Sequence, residues 1–345
     1  MATQIEIEQF LELATHIPVI DVRTPAEYQH GHILDAVNLP LFSDAQRAIV
    51  GTIYKEQGRT EAVLNGLALV GPRLEQIGRQ ARTLAPDGRL LVHCWRGGMR
   101  SASMAWLFAT CGLDVRSLAG GYKSYRRYMH AALQSPKPAI LVGGLTGSGK
   151  TDLLHALARE GEQVIDLEGL AQHRGSAFGA LGQRPQPTNE QFENLLGESW
   201  RRCNARLPVW MEDESQRIGT NYIPDALFQH MNQAPMILIE VPKAERVRRL
   251  TQEYRTYGAN ALQASTLKIK KRLGGQRVQA ILDSIAEERY AEAVATVLDY
   301  YDRTYSYTVS QKHQGPIKRL SLPNPSAPES VLAVRDAARE FTQQQ

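Results

Sequence analysis

Cysteine is scarce in this 345-residue chain: Cys94, Cys111 and Cys203 stand far apart and form no C-x-x-C pair. That argues against a disulfide framework and against a cysteine-rich zinc site. No apolar run approaches the roughly 20 residues that a membrane span needs. Met1–Glu6 leads into no basic segment followed by an apolar one, so no signal peptide is expected either. A protein of the reducing cytoplasm, with no membrane partner, is the expectation. Overall charge bias is also lacking, the formal net charge being +4, but its distribution is uneven. Between Lys243 and Arg277 ten basic residues face only Glu245 and Glu253. Such a density suits a polyanionic partner, and equally a solvated helical face. The length suits two domains, each able to bury its own core.

The stretch richest in chemistry is His93-Cys94-Trp95-Arg96-Gly97-Gly98-Met99-Arg100, directly after the apolar run Leu90–Val92. A cysteine at the end of a buried strand, before a glycine-containing loop and a helix over Ser101–Thr110, receives loop N–H groups and the partial charge of the helix N-terminus. Arg96 and Arg100 add full charges, so Cys94 is expected to be a thiolate nucleophile rather than an inert buried thiol. Cys111, in an apolar context before Gly112, and Cys203, in a helix-like run, read as packing residues.

Upstream, Pro18–Ile20 reads as a short buried strand ending at Asp21-Val22-Arg23, and Thr24-Pro25 as an N-cap with proline in the first turn. The series Asp21–Tyr28, Gly31-His32-Ile33 and Ala36–Pro40 resembles the opening signature of rhodanese-like domains. The Cys94 loop matches the second signature of that family, and Gly120-Gly121-Tyr122 its closing glycine pair. The resemblance covers residues 1–134. It implies an α/β domain whose Cys-led loop cradles an anion, with Cys94, Arg96 and Arg100 as the catalytic set. The loop is one residue longer than the commonest sulfurtransferase form and also fits the C-x5-R pattern of cysteine phosphatases. A tetrahedral anion such as phosphate or selenophosphate suits it. Val50–Arg59, which ordinary rhodaneses do not need, reads as a surface loop or as a source of phosphate or base contacts.

Ser135-Pro136-Lys137-Pro138 breaks the pattern and is taken as a linker, 135–138. The second domain, 139–345, opens with the buried strand Ala139–Gly143 and then Gly144-Leu145-Thr146-Gly147-Ser148-Gly149-Lys150-Thr151 before a helix over Asp152–Glu160. This is G-x-x-x-x-G-K-[ST] in its required context: amides of Gly144, Gly147, Ser148 and Gly149 surround a diphosphate, Lys150 reaches its terminal oxygens and Thr151 can hold magnesium. Strands over Val164–Glu168, Pro208–Met211 and Met236–Val241 complete a parallel-sheet P-loop fold. Asp213 and Glu214, at the end of the second of these, are candidates for an acid/base role or for magnesium through water, or else merely solvated charges; no metal is firmly assigned. His173-Arg174-Gly175-Ser176 has a substrate-loop composition, so Arg174 and Ser176 are candidate contacts. From about residue 243 a basic, mainly helical extension is expected, beginning with an Arg-rich lid-like segment at Lys243–Arg249. It includes a basic helix over Lys268–Arg272 and an amphipathic one over Ala286–Tyr301. Lys270, Lys271 and Arg272 are candidate contacts to a polyanion, nucleic acid or a phosphate-rich ligand, and Tyr300, Tyr301 and Tyr305 could stack on unpaired bases or simply pack.

A rhodanese-like domain followed by a P-loop domain, with Cys94–Ser101, Gly144–Thr151 and the His-Arg-Gly-Ser and Glu-Asp-Glu-Ser elements, resembles the tRNA 2-selenouridine synthase family along nearly the whole chain. The resemblance implies exchange of sulfur for selenium at wobble 2-thiouridine through an S-geranyl intermediate. It implies geranyl diphosphate and selenophosphate as substrates, no tightly bound cofactor, the tRNA anticodon arm as partner and a selenophosphate-supplying enzyme upstream. On this reading Cys94 either carries selenium covalently or only positions its donor. Two other classes fit the residues: a Cys-dependent phosphatase or sulfurtransferase fused to a P-loop small-molecule kinase, and a non-catalytic tRNA-binding module with a nucleotide sensor.

Overall fold

The computed structural model describes residues 3–343, and the chain divides into two compact units, 1–132 and 133–345. In the first, β1 (Thr3–Ile5), β2 (Val19–Asp21), β3 (Val37–Asn38), β4 (Arg89–His93) and β5 (Asp114–Leu118) form a parallel sheet in the order β1-β5-β4-β2-β3. The central strand β4 is an unbroken apolar run with Leu90, Leu91 and Val92 buried, as a strand covered on both faces must be. Cys94 therefore leaves the middle of the sheet at its C-terminal edge. The Pro25–His30 helix starts where the sequence indicates: the Thr24 hydroxyl accepts from Glu27 N, and the Glu27 carboxylate accepts from Thr24 N.

Val50–Arg59 is not a loop. Ser43 and Gln46 form a capping box, the helix carries Gly51 within it and stops before Gly58, and the segment becomes a helical hairpin, Asp44–Glu56 and Arg59–Val70. Its second helix sets Arg59 Nη2 3.6 Å from the sulfur of Met99, beside the Cys94 loop.

In the second unit β6 (Ala139–Gly144), β7 (Gln163–Ile165), β8 (Val209–Glu212), β11 (Met236–Glu240) and β12 (Ile317–Ser321) form another parallel sheet, β12-β11-β6-β8-β7. A two-stranded ribbon, β9 (Arg217–Ile218) with β10 (Asn221–Tyr222), lies apart from it. The strand order reverses at β6, and the crevice outside the C-terminal strand ends at such a switch point is where open α/β sheets bind ligands. The P-loop leaves β6 there and enters the Lys150–Arg159 helix.

In the second unit four elements differ from the sequence reading by more than a residue or two at an end. The Val164–Glu168 strand stops at Ile165, because the Asp166 carboxylate accepts from Gly169 N at 2.6 Å and starts a helix over Leu167–Ala171. The basic helix is interrupted at Ile269 into Ala259–Lys268 and Lys270–Leu273. Ala286 closes one helix, Gly275–Ala286, and a new one runs over Tyr290–Lys312. Finally, the mainly helical extension returns to the sheet as the edge strand β12, whose Lys318 and Arg319 mask the usual apolar pattern. The helices from Leu250 to Leu298 have a core of their own, joined by Phe178 from the loop after Ala171.

Candidate functional site

The Cys94 loop is held from below. Tyr122 N donates to the Cys94 carbonyl at 2.8 Å and Lys123 N to the Trp95 carbonyl at 2.9 Å. Gly121 sits at φ +60°, and a Cβ there would strike the Cys94 carbonyl and come within 2.5 Å of Gly97 N, so only glycine lets the two loops close on each other. Arg23, completely buried, clasps Asp21 (Nη2–Oδ2 2.6 Å), donates to the Gly31 carbonyl at 2.6 Å and stacks 3.8 Å from the Tyr122 ring centroid. The Asp21–Arg23 pair is thus a buried brace for the loop floor.

Cys94 is 3% exposed, and its sulfur lies 3.2 Å from Ser101 Oγ. Burial pushes the thiol up, but the Ser101 hydroxyl, the Arg96 and Ser101 amides and the Arg100 charge outweigh it and hold the thiol below its ordinary range. Gly98 caps the Met99–Thr110 helix without a side chain, leaving first-turn amides for an anion. Arg96 is exposed and has no side-chain partner among the described residues. Arg100 instead forms a two-point ion pair with Glu27 (2.6 and 3.2 Å), so in this state its fork is occupied by a carboxylate. Ser101, which the sequence reading treated only as a helix residue, is the nearest side chain to the thiol. Ser101→Ala should raise the thiol titration toward the ordinary range, weakening its ionisation constant about tenfold, the scale of one lost hydrogen bond to a charged group. Ultraviolet thiolate absorbance against pH measures it; an unmoved midpoint would remove Ser101 from the cradle.

In the second unit the P-loop opens into a cavity of about 970 Å3. Gly144, Gly147, Ser148, Gly149, Lys150 and Thr151 all line it, with Asp213, Glu214, Arg174, Ser176 and Arg272. Lys270 and Lys271 are exposed beside Arg272 but do not line it. Ser148 is 1% exposed and its hydroxyl has no partner, an unsatisfied group that a bound anion would pair. Burial disfavours a charge on Lys150, but Glu214, Glu168, Asp213 and Glu212 more than offset that, so it stays cationic.

The acidic floor is built by the β6–β8–β7 neighbourhood. Glu214 is pushed up to about 8 by burial and by the charge of Glu168, against the pull of Lys150. Burial raises Asp213 as well, with Tyr305 and Lys150 opposing. Glu212 is fully buried and accepts from Leu167 N at 2.9 Å, a structural role. The fold adds Glu168 to the site and gives Tyr305, read from the sequence as a base-stacking or packing residue, a different role. Glu168 accepts the Thr151 hydroxyl at 2.9 Å. Tyr305 accepts from the P-loop Gly144 N at 2.9 Å and donates to Asp213 at 2.7 Å, tying the helical extension to the site. Among the described residues no group of three His, Cys, Asp or Glu side chains is arranged to hold a metal ion.

Arg174 pairs with Glu253 and donates to Tyr257 at 3.1 Å, while Ser176 accepts from Phe178 N at 3.2 Å, so both shape the loop that roofs the cavity. The basic segment is less free than its composition indicates. Lys243, Arg246, Arg248 and Arg249 pair with Asp299, Asp302, Glu245 and Asp152. Arg246 also donates to the Thr146 carbonyl at 3.2 Å, beneath the P-loop. Within that segment Arg255 and the basic residues from Lys268 to Arg277 are exposed, and they have no ion pair among the described residues.

Residues 4–128 match the model of the rhodanese-like domain, and residues 137–322 that of the tRNA 2-selenouridine synthase AAA domain. Proteins described as tRNA 2-selenouridine synthase from Salmonella typhi and Salmonella newport (strain SL254) are each 38% identical over 339 residues, covering 87% of this chain and 91% of theirs. The crystal structure of an N-terminal domain from a Clostridium difficile 630 protein is 43% identical, covers 36% of this chain and 98% of its own, and has a TM-score of 0.35. No described helix is long and apolar enough to cross a membrane. The matches run through the Cys94 loop and the P-loop in the same order, and this chain belongs to the tRNA 2-selenouridine synthase family.

Proposed function

We propose that the protein replaces sulfur by selenium at the wobble 2-thiouridine of tRNA in two steps, one per unit. In the first, the thiouridine sulfur attacks C1 of geranyl diphosphate. The C1–O bond breaks, diphosphate leaves with the electron pair, and the N3 proton is lost as C2=N3 forms. In the second, selenium from selenophosphate attacks C2, the C2–S bond breaks and geranyl thiol leaves with a proton. Water then takes the phosphoryl group as phosphate, and N3 regains its proton.

The observation that carries this reading is the mixed lining of the P-loop cavity. Lys150 and the loop amides supply the charge that a departing diphosphate needs, and the aromatic side chains Phe178, Phe228, Tyr254, Tyr300, Tyr301 and Tyr305 line the same space. An allylic diphosphate has both characters, a charged head and a hydrocarbon tail. Glu214 or Asp213 would take the N3 proton, Glu214 through its ionised fraction, since its carboxyl is pushed up to about 8. Thr151 would hold a magnesium ion through its lone pairs, its hydroxyl proton being directed to Glu168; the ion would neutralise diphosphate charge. Selenophosphate suits the Cys94 loop, with Arg96 free to reach it and Arg100 engaging it only by leaving Glu27. A wobble base lies in a loop, so little unstacking energy is needed, and Lys270, Lys271 and Arg272 would contact the anticodon arm.

The test is to incubate the protein with thiolated tRNA and geranyl diphosphate, add selenophosphate, and analyse the nucleosides by mass spectrometry. S-geranyl-2-thiouridine should appear first and 2-selenouridine after it; absence of the geranyl nucleoside would overturn the two-step reading. The fused phosphatase–kinase alternative separates by binding. Affinity for tRNA should fall steeply with salt, and neutralising Lys270, Lys271 and Arg272 together should reduce the logarithmic slope by about 2–3. Salt-indifferent binding of a nucleotide alone would favour the alternative.

A further inference from the structure

We propose that the P-loop cavity continues into a hydrocarbon pocket closed by the stacked pair Phe178–Tyr254, and that this pair sets the length of the chain carried by the diphosphate. The inference rests on the prenyl-transfer reading of the same cavity and specifies where the tail goes.

Phe178 and Tyr254 are 4% and 8% exposed, with ring centroids 5.3 Å apart at 24°. Both belong to the wall of the P-loop cavity, and both also line a second hollow on its far side. That hollow is lined by the core of the helical extension, including Leu262, Ile281, Ala293, Val294 and Val297. Thr266 and Tyr290 also line it, the Thr266 hydroxyl being spent on the Leu262 carbonyl at 2.9 Å. A lining of this kind rejects water and anions and favours hydrocarbon.

The two rings are mounted differently. Tyr254 ends the Lys243–Tyr254 helix. Phe178 lies in the loop between the Leu167–Ala171 and Asn189–Arg202 helices, anchored through its neighbours' backbone: Ala177 N donates to Tyr301 at 2.9 Å, and Phe178 N to Ser176. Its ring can turn without breaking a helix. The hollow itself, about 10 Å3, is too small for an isoprene unit. A phenyl ring and a five-carbon isoprene unit have similar bulk, so displacement of Phe178 provides the missing room. Ala293, Val294 and Val297 keep the wall behind it shallow. Once Phe178 has turned, a tail long enough to pass it meets Ala293, Val294 and Val297, whereas a shorter one leaves Phe178 in place.

The experiment offers the full-length protein and thiolated tRNA an equimolar mixture of dimethylallyl, geranyl and farnesyl diphosphates and reads the ratio of prenylated nucleosides by mass spectrometry. Wild type should favour geranyl. Phe178→Ala should raise the farnesyl-to-geranyl ratio about tenfold or more, and Val297→Phe should shift the ratio toward dimethylallyl by a similar factor, the range in which hydrophobic pockets discriminate. Phe178→Trp serves as the shortening variant should Val297→Phe not fold, with thermal unfolding as the check. Active variants with wild-type ratios would overturn this inference alone. A wild-type protein that transfers no prenyl group would overturn the prenyl-transfer reading and this inference together.

Discussion

A Cys94→Ala protein should accumulate S-geranyl-2-thiouridine on tRNA and form no 2-selenouridine above background. The cradle around the sulfur is specialised for negative charge: the Arg96 loop amide, the Ser101 amide in the first helical turn, the Ser101 hydroxyl and the Arg100 charge overcome the cost of burying an anion at 3% exposure. Removing the sulfur leaves those donors aimed at an empty position and deprives selenophosphate of its partner. Losing the group that carries selenium or positions its donor costs about 10² or more in rate, enough to hide selenation in a timed assay. Cys94→Ser should not rescue, because a serine hydroxyl stays protonated where the thiol ionises. The alkylation step should continue at the wild-type rate, since no residue of the P-loop cavity has changed. Loss of the geranyl nucleoside as well would mean that the thiolate serves both steps and that the chemistry is not divided between the units.

What could be read from the sequence was whatever depends on near neighbours. The Thr24–Glu27 cap, the Cys94 loop and Gly144–Thr151 are each contained in fewer than ten residues, and each folds as its local pattern requires. The acidic partner of Thr151 could not be read this way. Glu168 follows an apolar strand, and only the side-by-side placement of β6, β8 and β7 brings it to the P-loop. Tyr305 lies 161 residues from Gly144 and reads as one tyrosine among several on a helix. Charge misled for the same reason. Asp152, Asp299 and Asp302 lie outside the basic segment in sequence yet neutralise three of its residues in space. The Arg100 pairing with Glu27 was likewise invisible, because Glu27 already had a local explanation as half of a capping box.

Lys150→Ala should abolish geranylation while leaving selenation of tRNA already carrying S-geranyl-2-thiouridine intact. Lys150 is the one side-chain cation of the P-loop motif, it donates to the Gly144 carbonyl at 3.2 Å, and the surrounding carboxylates keep it charged. A departing diphosphate gains negative charge as the C–O bond breaks, and this ammonium is the P-loop's own side-chain means of stabilising it; its loss should slow alkylation about 10²–10³-fold. The substitution also removes the charge that restrains Glu214, whose carboxyl would rise further and be less able to take a proton at neutral pH. Both effects act in the same direction, so Lys150→Ala should be slower than Lys150→Arg, which keeps the charge but not the fit. Supplying pre-geranylated tRNA bypasses the step, and the measured quantity is 2-selenouridine formed with time. Wild-type selenation by Lys150→Ala on that substrate, with no geranylation of thiolated tRNA, is the expected pair of results. If selenation fails there too, the P-loop acts on the selenium step, and the assignment of diphosphate to Lys150 is wrong.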